Sequence, residues 1–165
     1  MSPEWARIFG AVALPYVGGF LGARITGNKD SANMKWYKEL KKVPWNPPSW
    51  VFGPVWTYLY GTMGYASYLV WRDGGGFEGA VVPLGMYGAS LALNWLWTPL
   101  FFKYHLKGWA TIEILMYLGV TGATAYLFWP VNQTASKLLF PLLGWISLAS
   151  TLTIGVLVKN KDKQS

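Results

Sequence analysis

The sequence predicts an all-α integral membrane protein, a single domain built as a bundle of five transmembrane helices. Of its 165 residues, 53% are hydrophobic and only 13% are charged, against the roughly 25% charged residues usual in soluble domains. The charged residues are also clustered, which leaves long apolar runs between them. A membrane β-barrel would need segments of about 10 residues with alternating apolar and polar positions, and the sequence has none.

The composition also excludes several kinds of functional site. The absence of Cys excludes disulfides, a thiol nucleophile and thiolate zinc sites. One His and seven acidic residues leave few ligands for a metal ion. No Ser-His-Asp set, paired carboxylates or glycine-rich phosphate loop stands out. We therefore predict no metal site and no required cofactor, and a soluble enzyme is not favoured.

Five apolar runs are long enough to cross a bilayer core of ~30 Å, which needs about 20 helical residues. Arg24 closes the first run and reaches the interface with its apolar stem, and the fourth run places Glu113 inside the membrane. The long loop 27–48 and the polar tail 159–165 lie outside the runs. The predicted spans are 5–26, 49–71, 80–102, 107–128 and 135–158.

The connections between these spans contain residues that end or start helices. Pro15 falls inside the first span, where a membrane helix tolerates it better than a soluble one. Pro47 and Pro48 suit the first turn of the second span, because the N–H groups there have no helical partner. The remaining connections are a glycine turn at 74–76, a basic turn at 103–107 and a Trp-Pro-Val-Asn turn at 129–132.

The basic residues predict the orientation in the membrane. Five spans put the termini on opposite sides, and Arg7, Arg72 and Lys137 are the basic residues on the N-terminal side. The other eleven of the 14 lie on the side of the long loop and the C-terminus, which the positive-inside rule places in the cytosol. These basic residues flank spans and form no basic face, so we expect no nucleic-acid partner. They are Arg24, Lys29, Lys35, Lys38, Lys41, Lys42, Lys103, Lys107, Lys159, Lys161 and Lys163.

Eleven Trp residues exceed what the two membrane interfaces require. Four of them fall at span ends, where interfacial belts collect Trp. Packing or lipid contact explains about half of the others, and the surplus offers flat, polarizable surface suited to a flat apolar ligand. These other Trp residues are Trp45, Trp50, Trp56, Trp95, Trp97, Trp109 and Trp145.

Helical spacing groups several of these residues. Two faces follow an i, i+4, i+7, i+8 spacing, and Asn94 and Trp97 are separated by three residues. Asn94 and Glu113 are polar residues within spans: Glu113 either turns inward or reaches the headgroups, and Asn94 serves a ligand or an interhelical hydrogen bond. The two faces are Trp109, Glu113, Met116 and Tyr117, and Trp145, Ala149, Leu152 and Thr153.

Small residues at four-residue spacing on the third predicted span allow close helix packing. Gly85 with Ala89, and Gly88 with Ala92, form such pairs. They predict either packing within the bundle or the face of a homodimer.

Three sequence motifs resemble those of the translocator protein family, also called the peripheral benzodiazepine receptor or tryptophan-rich sensory protein family. They are Trp-Asn-Pro-Pro at 45–48, Pro-Val-Trp at 54–56 and Leu-Ala-Leu-Asn-Trp-Leu-Trp at 91–97. The resemblance runs from Trp5 to about Val158, and it is closer to the animal members.

The resemblance implies a five-helix bundle, commonly dimeric, with a pocket that opens toward the cytosolic loop. It implies porphyrins, haem-like tetrapyrroles, cholesterol and benzodiazepine-type drugs as ligands, and residence in the mitochondrial outer membrane, with the endoplasmic reticulum as the alternative. The cholesterol pattern of the last helix needs a Tyr, and no Tyr follows Tyr126. The residues that match the family's ligand-binding positions are Ala23, Trp50, Phe52, Trp56, Asn94, Trp97, Trp109, Glu113, Trp145, Ala149 and Leu152.

Two further hypotheses concern particular residues. The bacterial branch of the family raises the alternative of an enzyme-like, light- and oxygen-dependent turnover of bound protoporphyrin, with Trp56 and Trp145 as redox-active residues. Trp45 and the stiff Pro47–Pro48 end of the loop are predicted to form a lid over the ligand, or else Trp45 only anchors the loop at the interface.

Overall fold

A computed structural model describes residues 4–27 and 31–160, and within these residues all regular structure is helical. This confirms the predicted all-α class. Residues 28–30, with Lys29, and 161–165, most of the predicted tail, lie outside the described residues. The helices are α1 (Glu4–Thr26), α2 (Ala32–Glu39), α3 (Ser49–Asp73), α4 (Gly76–Gly79), α5 (Val81–Thr98), a π-helical turn (Pro99–Lys103), α6 (Lys107–Phe128), α7 (Gln133–Leu138) and α8 (Phe140–Lys159).

Three of the described helical segments are long and apolar enough to cross a membrane: α1, α6 and the stretch Gln133–Lys159 that contains α7 and α8. The membrane class is therefore confirmed, whereas the count of five spans is not. Helices α3 and α5 are also long, but seven of the 25 residues of α3 are Trp or Tyr. Their indole and phenol groups have polar tips, which lowers the mean hydropathy of the helix.

Prolines change the helices at two points that the apolar runs did not reveal. Pro99 has no N–H to donate, and α5 widens there into a π-helical turn in which the Tyr104 N–H donates to the Pro99 carbonyl at 3.0 Å. The segment predicted as one span over 135–158 consists of two helices, because Pro141 starts α8 in its first turn. The preceding helix α7 ends at Leu138.

The loop 27–48 contains a helix that the sequence reading did not predict. Ser31 caps α2: its hydroxyl accepts from the Met34 N–H at 3.2 Å and donates to the Thr26 carbonyl at 2.7 Å. The Asn33 amide donates to the Ile25 carbonyl at 2.6 Å, which ties α2 to the end of α1. With only eight residues, α2 is too short to give a hydrophobic period of its own.

The bundle is tightly packed at the end away from this loop. Gly64 of α3 lies directly against α1, where an added Cβ would come within 2.6 Å of the Ala11 carbonyl oxygen and 2.7 Å of the Val12 Cα. Leu59 and Met63 of α3 are buried in a core that includes Leu142 at the start of α8. At this end α3 also packs well against α7, whereas α3 has few contacts with α8. This divergence leaves a cavity at the loop end.

Candidate ligand site

The cavity at the loop end has a volume of about 720 Å³. Its wall is formed by α1, α2, α3, α5, the π-helical turn, α6 and α8, and most of it is apolar. This size and character are typical of a small-molecule site, for which about 300–1,000 Å³ is usual.

One wall is a cluster of aromatic rings from α3 and α8. The Trp145 ring meets Phe52 edge-on at 5.5 Å between centroids and Trp56 at 6.4 Å. Trp56 in turn contacts Tyr60 at 5.4 Å. On the opposite side, Trp97 stacks on Phe101 at 4.8 Å with an interplanar angle of 10°. These rings offer both faces and edges to a flat ligand.

The floor of the cavity is polar and is held by a short hydrogen-bond chain. The Tyr60 hydroxyl donates to Asn94 Oδ1 at 3.4 Å, and Asn94 Nδ2 donates to the Tyr117 hydroxyl at 2.8 Å. All three residues line the cavity, and Asn94 and Tyr117 are buried. The chain fixes the Asn94 side chain, which makes the predicted interhelical hydrogen bond and also lines the cavity.

Three indole N–H groups at the cavity wall are buried without a hydrogen-bond partner among the described residues: those of Trp95, Trp97 and Trp145. A buried donor without an acceptor costs about 1–3 kcal/mol, so most buried polar groups in proteins are paired. These N–H groups have almost no accessible surface, and the Trp95 indole packs against Gly18 of α1, so the rings and not their N–H groups form the cavity surface.

The structure brings eight of the twelve predicted ligand residues to this cavity. The face predicted on the last span lies wholly on its wall, since Trp145, Ala149, Leu152 and Thr153 all line it. The eight are Ala23, Phe52, Trp56, Asn94, Trp97, Trp145, Ala149 and Leu152.

The other four predicted residues lie outside the cavity wall. Trp50 and Trp109 are 75% and 64% exposed on outer helix faces. Trp45 is also exposed, and its indole donates to the Thr151 hydroxyl at 3.1 Å on the outside of α8. Glu113 is buried in the bundle, and its carboxylate oxygens have no hydrogen-bond partner among the described residues.

The face predicted on α6 is divided between the interior and the surface because its members are spread around the helix. At 3.6 residues per turn, Trp109 and Met116 point within about 20° of each other, whereas Tyr117 is about 80° from Trp109. Accordingly Trp109 and Met116 are exposed, and Glu113 and Tyr117 are buried. Only Tyr117 of this group lines the cavity, together with Ile114.

The sequence predicted Ala23 of α1 as a site residue, but it did not reveal the glycines of α1 that shape the cavity. Gly18 and Gly19 both line the cavity, and each makes room for an aromatic ring of its wall. Trp95 lies where a side chain at Gly18 would be, and Tyr60 lies where a side chain at Gly19 would be. Gly18 and Gly22 form a small-residue pair at four-residue spacing, a pattern that by itself indicates close helix packing. The signal was therefore present, although its partner was a ring and not a backbone.

The loop 27–48 closes one end of the cavity, where Met34, Tyr37 and Asn46 contribute to the wall. Asn46 Nδ2 donates to the Tyr37 hydroxyl at 3.3 Å, and burial raises the pKa of that hydroxyl. The Lys42 ammonium lies 4.4 Å from the centre of the Tyr37 ring, and burial lowers the pKa of Lys42.

Contacts with α8 hold the loop in place. The Lys41 N–H donates to Asn160 Oδ1 at 3.1 Å, and Asn160 Nδ2 donates to the Lys41 carbonyl at 2.9 Å. The Val43 side chain occupies the space that a side chain at Gly155 would need. The loop is thus a fixed roof of the cavity.

Comparison with known proteins identifies the family. The model of the TspO/MBR family matches residues 11–158. The chain belongs to this family. It is 43% identical to the translocator protein of Bos taurus over 166 residues, covering 100% of this chain and 96% of that protein. It is 44% identical to the translocator protein of Homo sapiens over 153 residues, or 92% and 89% of the two chains.

The relatives of this TspO/MBR family member extend beyond mammals. It is 34% identical to the translocator protein homolog of Schizosaccharomyces pombe over 149 residues, covering 87% of this chain and 85% of that protein. The resemblance carried by the motifs at 45–48, 54–56 and 91–97 is confirmed. Family membership supports a membrane receptor or carrier role for the chain.

Proposed function

We propose that this chain is a membrane receptor or carrier that binds porphyrins and haem-like tetrapyrroles in the cavity under the loop. The observation that carries the proposal is the cavity of about 720 Å³ with aromatic rings of α3, α5, the π-helical turn and α8 in its wall. Protoporphyrin is a flat, largely apolar macrocycle with two carboxylates on one edge. Aromatic walls suit the faces and edges of such a ring.

Sterols and benzodiazepine-type ligands are proposed as further occupants of the same cavity. A sterol is apolar with one hydroxyl, which the Tyr60–Asn94–Tyr117 floor can bond. The sterol assignment has less support than the porphyrin assignment, because Ile154 and Gly155 stand near the end of α8 where a cholesterol-type pattern would need a Tyr.

A titration in the dark tests the proposal. Protoporphyrin added to the purified protein should quench Trp fluorescence saturably, because at least Trp56, Trp97 and Trp145 lie at the cavity wall. A non-porphyrin benzodiazepine-type ligand should compete with it. Quenching that rises linearly without saturation, and that no competitor reverses, would rule out a defined porphyrin site.

The contact between Trp56 and Trp145 supports a second candidate function, the light- and oxygen-dependent turnover of bound protoporphyrin. These two rings meet at 6.4 Å on the cavity wall, so both can touch one bound macrocycle. Illumination of the complex in air tests it: loss of the porphyrin absorbance band in the wild type, abolished by Trp145→Phe at equal porphyrin occupancy, would favour turnover. A stable band in light would leave binding alone.

We further propose that α1, α3, α5 with its π-helical turn, α6, and α7 with α8 form five spans of the mitochondrial outer membrane, with the C-terminus in the cytosol. The excess of basic residues on the loop side supports this orientation. Protease protection of terminal tags on isolated mitochondria tests it, and a protected C-terminal tag would reverse the orientation.

Asn132-Gln133-Thr134 is an N-glycosylation sequon, and its modification state distinguishes the mitochondrial outer membrane from the alternative location in the endoplasmic reticulum. On the luminal side of the endoplasmic reticulum it could be glycosylated, whereas in mitochondria it stays unmodified. In the structure the Asn132 side chain caps α7, accepting from the Ala135 N–H at 2.9 Å, and donates to Asp73 at 2.6 Å. A glycan on Asn132 would therefore place the protein in the alternative membrane.

A homodimer through α5 is proposed from the exposed small residues there. Gly85 and Ala89 are both exposed, and no atom lies within 4 Å of a Cβ added at Gly85. A bulky side chain at this position would therefore leave the monomer intact and block close helix approach. Gly85→Leu should shift a detergent-solubilised dimer toward monomer in sedimentation, and an unchanged dimer would exclude this face.

A further inference from the structure

Some residues of the cavity wall are also exposed on the outside of the bundle. They are Phe20 and Ala23 of α1, Gly27 just after it, and Gly53 and Thr57 of α3. Phe20 is 63% exposed. The other described wall residues, on α2, α5, the π-helical turn, α6 and α8, are buried or partly buried. The cavity therefore opens sideways between α1 and α3.

The opening has a defined lower edge. Beneath it, α1 and α3 are in close contact at Gly64 and Ala11. The Tyr16 hydroxyl donates to the Thr57 carbonyl at 2.5 Å, and the Tyr16 ring meets Tyr60 edge-on at 5.6 Å. One turn closer to the loop, Gly53 is exposed and lines the cavity, and no atom lies within 4 Å of a Cβ added there.

Apolar side chains surround the opening on the outer surface. Val17 and Leu21 of α1 and Trp50 and Tyr58 of α3 are all exposed. Arg24, whose guanidinium carbon lies 5.9 Å from the centre of the Phe20 ring, marks the level of the interface at the end of α1. The rim thus has the composition of a lipid-facing surface, below the level of the headgroups.

The cytosolic side of the cavity offers less access. Met34, Tyr37 and Asn46 close it, and the hydrogen bonds between Lys41 and Asn160 fix the loop that contains them. Passage through the roof would require those contacts to break. Between the Tyr16–Thr57 hydrogen bond and the loop, the described residues show no hydrogen bond that joins α1 to α3, so passage between these helices breaks none.

We propose that the gap between α1 and α3 is a window through which the ligand exchanges directly with the bilayer, and that Gly53 keeps this window open. The inference rests on the proposed porphyrin binding and adds its route. A porphyrin dissolves in the membrane as a flat, largely apolar molecule, so its source is the lipid phase. The absence of a side chain at Gly53 leaves the width that a macrocycle needs.

A reversible crosslink across the window tests the route. The chain has no Cys, so Ala23→Cys with Gly53→Cys gives a single thiol pair. The variant is reconstituted in liposomes and loaded with protoporphyrin. Its two thiols are then crosslinked by a bifunctional reagent that a reductant can cleave. Release to empty acceptor vesicles should slow about tenfold or more and recover on reduction, because the route acts on the dissociation rate.

Met116→Cys with Gly119→Cys is the matched control for the reagent. Both positions are exposed on α6 and neither lines the cavity, so the same crosslink there should leave release unchanged. Release from the crosslinked Ala23/Gly53 pair at the rate of its reduced form would overturn the window.

A single substitution gives a second measurement that needs no crosslink. Gly53→Leu should slow association and dissociation together, each about fivefold or more. Gly119→Leu, at another exposed glycine with open space around it, should change neither rate. Unchanged rates in Gly53→Leu would overturn the window alone, whereas a wild type without saturable porphyrin binding would overturn the proposed function with it.

Discussion

The two ends of the bundle are built from the same helices but differ in packing. Away from the loop, Gly64 brings α3 against α1, and α7 fills the space beside α3. Near the loop, α3 diverges from α8, and aromatic rings line the space between them. The break between α7 and α8, just before Pro141, lies where the last segment leaves α3. A small residue thus allows close helix packing at the end away from the loop, whereas aromatic side chains line an open cavity at the loop end.

The largest effect is expected at the closed end. Gly64→Leu would force a side chain into the backbone of Ala11 and Val12, which cannot move aside as a flexible side chain can. Overpacking of this kind costs about 1–3 kcal/mol, and more where backbone must move. We expect a strong loss of folded protein on heating, measured as the folded fraction that size-exclusion chromatography recovers at each temperature.

The control for this comparison is Gly119→Leu, because the site is open and exposed. Its thermal stability should stay close to that of the wild type. If Gly64→Leu were as stable as this control, the two helices would not be in close contact at the closed end.

A smaller effect is expected at the roof of the open end. Asn160 is buried and bonds both the N–H and the carbonyl of Lys41, so Asn160→Ala leaves these backbone groups without their partner. The loss should be about 1–3 kcal/mol and should concentrate in the loop. Hydrogen exchange should rise at residues 31–46 and stay unchanged in α3 below Tyr60, and uniform exchange would contradict a roof held by Asn160.

The smallest effect is expected for Trp45, the residue for which the sequence left a lid and an anchor open. Its indole bonds Thr151 outside the cavity, and it does not line the wall. Trp45→Phe should therefore change the rate of porphyrin release by less than about twofold. The release rate is the quantity to measure because changes at a binding site act mostly on the off-rate. Stopped-flow release decides it: a markedly faster release would restore the lid.

The features predicted well from sequence depend on one helix at a time. The all-helical class follows from the apolar runs, and Trp145, Ala149 and Leu152 share a wall because their spacing alone puts them on one face. The helix α2 was missed because its eight residues, capped by Ser31, contain no apolar run.

The features predicted poorly depend on how two helices meet. The rotation of α6 sets Tyr117 toward the cavity and Trp109 toward the outside, and spacing within α6 cannot reveal that rotation. Gly18 reads as a helix-packing residue until Trp95 of α5 is seen to fill its space. The opening beside Gly53 likewise requires the separation of α1 from α3, which no motif records.

The measurement that tests the account most directly compares two Trp residues that the sequence treated alike. Trp145 lies on the cavity wall and Trp109 is exposed on the outside of α6. In a protoporphyrin titration, Trp145→Ala should raise Kd about tenfold or more, equivalent to about 1.4 kcal/mol, and Trp109→Ala should leave Kd unchanged. Equal affinities for the two variants, or a loss confined to Trp109→Ala, would contradict binding in this cavity.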